Sequence, residues 1–224
     1  MDERTANLQA RRDRIISSAE TLIIQDSLAA FKMRDLAEEG GLSVKTLYNL
    51  CGDKFAIAAE VERRAYATLE AELLSLPVLD DPIEQVLAVM QAGAQKAIDR
   101  KGIIHPLWRG GDIAEKPKSR RALELVQLGS HLAKQALIQG VDQQVFIAEV
   151  AAPVVAHQLS VTWFGNAMLW ARDIFSDEAF LNHVRYAGLC NLLPYIDAEA
   201  VADVRDSIIS SQPMLSMGNK PTTT

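Results

Sequence analysis

Gly40-Gly41-Leu42-Ser43-Val44-Lys45-Thr46-Leu47-Tyr48-Asn49-Leu50 stops one helix and starts another within a few residues. The glycine pair supplies the left-handed backbone that a helix exit needs. Ser43 can cap the next helix by accepting a backbone hydrogen bond. The restarted helix has only about two turns, too few to be stable alone, so its neighbours must hold it. Projected at about 100° per residue, Leu47 and Cys51 point one way, with Ser43 and Val44 at the margins. Lys45 and Asn49 point the opposite way, flanked by Thr46 and Tyr48. Such an outer face suits a DNA groove: Lys and Asn can bond base edges, while Thr and Tyr hydroxyls and the Lys ammonium bind phosphate oxygens. With the Met33–Glu39 segment before it, this predicts a helix-turn-helix unit. On the wheel alone, an ordinary helical hairpin with a solvated face accounts for the pattern as well.

Working outward, helical periodicity dominates. Ile15, Ile16, Ala19, Leu22 and Ile23 make one apolar face of a first helix, and Met33, Leu36 and Ala37 repeat the pattern briefly. Asp53 can cap a fourth helix, apolar at Ile57, Val61, Ala65, Leu69 and Leu73 and stopped before Pro77. Asp81-Pro82 repeats the logic of an acid at the cap and a proline in the first turn. Helical stretches are expected at about 82–101, 104–110, 117–139, 142–172, 177–195 and 198–210, with breaks at Gly110-Gly111, Gly140 and Phe175-Ser176. No alternating strand pattern stands out, so the expected class is all-α. Pro153, inside the 142–172 stretch, either starts a new helix or kinks the old one.

The block from Phe31 to Tyr48, followed by Gly52-Asp53-Lys54, resembles the DNA-binding domain of the TetR family of transcriptional regulators. The matching elements are Arg34-Asp35-Leu36-Ala37, Gly41, Leu42-Ser43, Thr46-Leu47-Tyr48 and Lys54. The resemblance covers roughly residues 8–60. It implies that Thr46, Tyr48 and Lys54 contact the DNA backbone, that Val44, Lys45 and Asn49 face base edges, and that Arg34 and Ser43 are weaker candidates. Three positions depart from the family pattern. Lys32 replaces a Ser or Thr cap, Cys51 replaces an aromatic, and the glycine usual after the first helix is missing from Asp26-Ser27-Leu28.

The implied organisation is an N-terminal three-helix helix-turn-helix domain (1–54), a larger helical effector-binding and dimerisation domain (55–212), and a tail (213–224) that reads as frayed or disordered. The resemblance implies a repressor that binds a palindromic operator as a homodimer and changes its DNA affinity when a small molecule occupies the C-terminal domain. The apolar stretches at 142–172 and 177–195 are the expected dimer helices, with intramolecular core as the competing account. Candidate pocket residues are the large apolar or amphipathic side chains Tyr66, Met90, His105, Trp108, His131, His157, Trp163 and Phe164, which suit an apolar or aromatic effector.

Bulk properties narrow the field. The 224 residues carry 49% hydrophobic and 23% charged side chains, an ordinary globular composition. A net charge of −6 argues against wholesale polyanion binding but leaves room for a local basic patch. Two distant cysteines make neither a zinc pattern nor a disulfide framework. The histidines, at 105, 131, 157 and 183, lack metal-ligand spacing on one helix, so no metal or other cofactor is expected. No secretory signal or membrane-length apolar run is present, which points to the cytoplasm. No phosphate loop, nucleophile elbow or zinc helix suggests an enzyme. The alternative is a helical small-molecule binder of the same fold with weak or lost DNA binding.

Overall fold

The computed structural model describes residues 3–109 and 120–215, which are helical through most of their length. The order is α1 (Glu3–Ala30), α2 (Met33–Glu39), α3 (Val44–Cys51), α4 (Lys54–Leu74), α5 (Pro82–Asp99), α6 (Lys101–Arg109), α7 (Arg120–Asp142), α8 (Ala152–Ala171), α9 (Asp177–Leu192) and α10 (Val201–Ser211). The expected break at Gly110-Gly111 and most of the tail lie outside the described residues. The described residues divide into two compact units, 3–68 with 100–109, and 69–99 with 120–215. The division falls within α4. The first unit therefore holds the helix-turn-helix together with most of α4 and all of α6.

The first unit has one apolar core. Ile15, Ile16, Ala19 and Ile23 of α1 meet Leu36 and Ala37 of α2, Leu47 and Cys51 of α3, and Ile57 and Val61 of α4. Gly102 on α6 lets that helix lie against α1, since a Cβ there would fall 2.9 Å from Ile24. Arg64 ties α4 to α1 by donating to the carboxylate of Asp13 and, at 3.3 Å, to its backbone oxygen. Beside it, Glu60 accepts from Arg63 at 2.6 and 2.9 Å, which holds its carboxyl below the usual range.

In the second unit α5 and α8 each pack against both α7 and α9, which closes a ring of four helices. Two glycines permit the closest approaches. A Cβ at Gly188 of α9 would sit 2.6 Å from Leu87 of α5, and one at Gly140 of α7 would run into the ring of the buried Phe146. Trp170 stacks on Phe180 at 5.1 Å and donates its indole N–H to Asp177 at 2.7 Å. Arg185 reaches from α9 to α5, donating to both carboxylate oxygens of Glu84 at 2.7 and 3.0 Å.

The largest departure from the sequence expectation lies between α7 and α8. The sequence places a helix break at Gly140, yet this residue lies inside α7 and serves the close approach of Phe146. The exit comes later, at Gln144, whose φ of 61° lies in the left-handed region. There the Gln144 N–H bonds Val141 O and the Val145 N–H bonds Gly140 O, at 3.0 and 2.8 Å. Residues 143–151 are consequently not α-helical, and Phe146 pairs with Ile196 in an isolated bridge. Pro153 sits in the first turn of α8, so it starts a helix and kinks none. The α8 exit repeats the device with Asp173 at φ 57°.

Left-handed backbone costs a side chain with a Cβ about 1–2 kcal/mol, partly offset by the greater chain entropy that glycine loses on folding. Gln144→Gly is therefore expected to stabilise the protein by about 0.5–1 kcal/mol, read as an upward shift of the urea midpoint with an unchanged m-value.

Candidate nucleic-acid interface and apolar cavity

The short helix α3 is built from both ends. At its N-terminal side Gly40 closes α2 in right-handed geometry and Gly41 comes next at φ 60°. The Gly41 N–H then bonds Glu38 O at 3.1 Å and the Leu42 N–H bonds Ala37 O at 2.8 Å, which satisfies the last carbonyls of α2. Ser43 caps α3: its Oγ accepts from the Thr46 N–H at 3.1 Å and lies 2.8 Å from the Thr46 hydroxyl. At the other end Gly52 takes φ 81°, and Asp53 caps α4 by accepting from the Ala56 N–H at 2.8 Å. Lys32 is the N-cap residue of α2 in extended geometry and makes no side-chain cap bond, so that helix begins without the hydroxyl cap.

Burial follows the wheel. Leu47 is fully buried and Cys51 nearly so, whereas Val44, Lys45, Thr46, Tyr48 and Asn49 are exposed. Tyr48 keeps 48% of its surface open, too much for a packing ring. Arg34 and Ser43 are also exposed. Lys54 is half-buried, with its ammonium 5.6 Å above the centre of the Phe31 ring. The structure thus brings the residues proposed for DNA onto α3 and its N-cap, with Lys54 at the start of α4 and Arg34 on α2. Phe55, the second residue of α4, is 47% exposed beside this surface and is absent from the sequence candidates. Its neighbour Lys54 is the signal that could have drawn attention to it. Burial pushes the Cys51 thiol pKa up, against the opposing pull of the Arg12 charge.

The candidates for a small-molecule pocket separate. Met90 and Trp163 line an apolar cavity of about 50 Å³ in the second unit, with Leu69, Leu73, Val89, Gly93, Val126, Gly129, Ala133, Leu159 and Ser160. Both polar groups on the wall are engaged: the Trp163 indole donates to Met90 O at 2.9 Å, and the Ser160 hydroxyl donates to Ala156 O at 3.1 Å. The wall is therefore almost wholly hydrocarbon and suits a small neutral molecule. Tyr66, His105 and Trp108 lie instead in the first unit, where the Trp108 indole donates to the Tyr66 hydroxyl at 2.8 Å. His131 and His157 are exposed, and Phe164 is half-buried outside the cavity lining. The lining residues that sequence reasoning missed are small or aliphatic, and nothing in their type sets them apart from core. Among the described residues no group of three or more His, Cys, Asp or Glu side chains is placed to hold a metal ion, and no helix is long and apolar enough to cross a membrane.

Neither a protein-family model nor a curated protein matches the chain. Solved structures do. The regulator PfmR of the TetR family from Thermus thermophilus is 22% identical, with a TM-score of 0.55 over 80% of this chain and 97% of that one. A TetR-family regulator from Pectobacterium atrosepticum is 18% identical, with a TM-score of 0.67 over 85% and 96%. RolR, solved in complex with resorcinol, is 16% identical, with a TM-score of 0.59 over 89% and 94%. The chain has the all-α fold of the TetR-family regulators.

The Ser43 cap predicts a stability effect that is independent of DNA. Ser43→Ala should cost about 1 kcal/mol of unfolding free energy, measurable by urea titration, while Ser43→Gly should cost only a few tenths.

Proposed function

We propose that this protein is a ligand-responsive transcriptional repressor that binds a palindromic operator as a homodimer and changes its DNA affinity when a small apolar or aromatic molecule occupies the C-terminal domain. The observation that carries this reading is the outer face of α3. A helix of eight residues, capped at both ends and anchored by Leu47, presents Lys45, Thr46, Tyr48 and Asn49 to solvent. Groove-binding needs that chemistry, and folding of the unit does not. Arg34, Ser43, Val44 and Lys54 complete the surface, with Thr46, Tyr48 and Lys54 assigned to phosphates.

The second unit supplies the other two parts. Val154, Val161 and Leu169 of α8 are large apolar side chains left open, Val154 at 66% and Val161 at 47%. Pairing of α8 and α9 with their copies would cover them and place two reading helices for half-sites about 34–36 Å apart. Leu69 and Leu73, on the last turns of α4, line the cavity, and the same helix begins at Lys54 next to α3. A molecule in the cavity acts through α4 if it prefers one setting of that helix over another, since only differential affinity shifts an equilibrium.

Light scattering should report a dimer, and Val161→Glu should convert it to a monomer that binds a palindromic duplex roughly 100-fold more weakly, because the second half-site no longer benefits from tethering. A monomeric wild-type chain with full operator affinity would sink the proposal. For the cavity, a small neutral apolar probe such as xenon should raise the melting temperature of the wild type in a concentration-dependent way. Gly129→Ala narrows the cavity without a clash, because a Cβ at Gly129 has its nearest neighbour, the Ser160 hydroxyl, 4.0 Å away. That variant should melt higher and lose most of the response to xenon.

A further inference from the structure

The exposed chemistry of α3 specifies more than DNA in general. Lys45 and Asn49 are one turn apart on the side of the helix opposite the buried Leu47 and Cys51. Their separation along the axis is about 6 Å, which corresponds to about two base-pair steps of roughly 3.4 Å each. A lysine ammonium meets a guanine edge by donating to O6 and N7. A carboxamide meets adenine by donating to N7 and accepting from the N6 amino group. No carboxylate lies on α3, so the amino group of cytosine finds no ionised acceptor there. The Thr46 hydroxyl lies 2.8 Å from Ser43 Oγ, within the cap and to one side of the reading line. Val44, on the other side, leaves 39% of its surface open and offers only methyl groups, which complement the C5-methyl of thymine.

Resting on the regulator reading above, we infer that each operator half-site holds a G·C pair read by Lys45 and an A·T pair read by Asn49 about two steps apart, with a thymine methyl against Val44. The helix has one cation, one amide and one apolar reader, so its base-edge contacts are one guanine, one adenine and one thymine. Because all three side chains are exposed, their removal leaves the core of the unit intact, and the variants remain folded enough to be compared.

The test begins with selection of bound duplexes from a random library by the full chain. The expected product is a palindrome whose half-sites contain the G·C and A·T pairs at that spacing. Replacing either pair in the selected duplex should weaken wild-type binding roughly 5- to 150-fold, as for loss of a good base contact. Lys45→Ala should bind all four bases at the guanine position equally, and Asn49→Ala should do so at the adenine position. Substituting uracil for the thymine removes one methyl and should weaken the wild type by about four-fold while leaving Val44→Ala unchanged. An enriched palindrome lacking the pairs at that spacing overturns the inference and leaves the regulator reading standing. So does a Lys45→Ala variant that loses affinity equally on every duplex with a shallower salt dependence, which would assign Lys45 to a phosphate. Enrichment of no sequence at all overturns the regulator reading itself.

Discussion

Everything presented on the outer face of α3 depends on Leu47 being held in the core. The helix has eight residues, and nucleation alone makes such a length unstable in water. Leu47 is fully buried among side chains from α1, α2 and α4, and Cys51 lies one turn beyond it. That contact converts a marginal helix into a rigid platform. The backbone turns on either side then fix its direction: Gly41 at φ 60° and Gly52 at φ 81° are two places where the first unit needs left-handed backbone, and both bear glycine. The capping serine adds a further constraint by tying Thr46 to its own turn. The polar side chains thus occupy what remains of α3 after folding has claimed one side of it.

The second unit solves a different problem. Four long helices must approach closely enough to exclude water, yet α5, α7 and α8 leave a space beside the last turns of α4. Close approach is permitted where glycine replaces a side chain, at Gly140 beneath Phe146 and at Gly188 beneath Leu87 and Met90. The space is left where small residues meet large ones, with Gly93 against the Trp163 indole and Gly129 opposite Ser160. The wall's own hydrogen bonds close within the wall, so the cavity carries shape and hydrocarbon but little polarity.

The helix-turn-helix is legible in the sequence and the cavity is not, and the physical reason is local. A short capped helix between glycines has its signals within a dozen residues: the period of its apolar positions, the cap at Ser43, the paired Gly40 and Gly41. The all-α class rests on the same periodicity. The end of α7 is hidden because its left-handed residue is Gln144, an ordinary side chain at an exit that glycine usually marks. Gly140 carries the misleading signal, although its smallness answers to Phe146. The cavity escapes because large aromatic and histidine side chains stand out in a sequence, whereas small residues such as Gly93, Gly129 and Ala133 help to make the space. Of the eight candidates, Met90 and Trp163 lie on its wall, and the Tyr66–Trp108 pair serves the first unit.

The cysteine at the foot of α3 has a chemical consequence of its own. Nucleophilic attack by a thiol requires the thiolate, and burial raises the cost of forming it at Cys51. The residue is 5% exposed and screened by the same packing that anchors the helix. An alkylating reagent reaches its sulfur only when that end of α3 lifts away, so the rate of labelling at this one atom keeps time with the opening of the helix. Where an aromatic plug would be chemically silent, the thiol acts as a clock built into the platform.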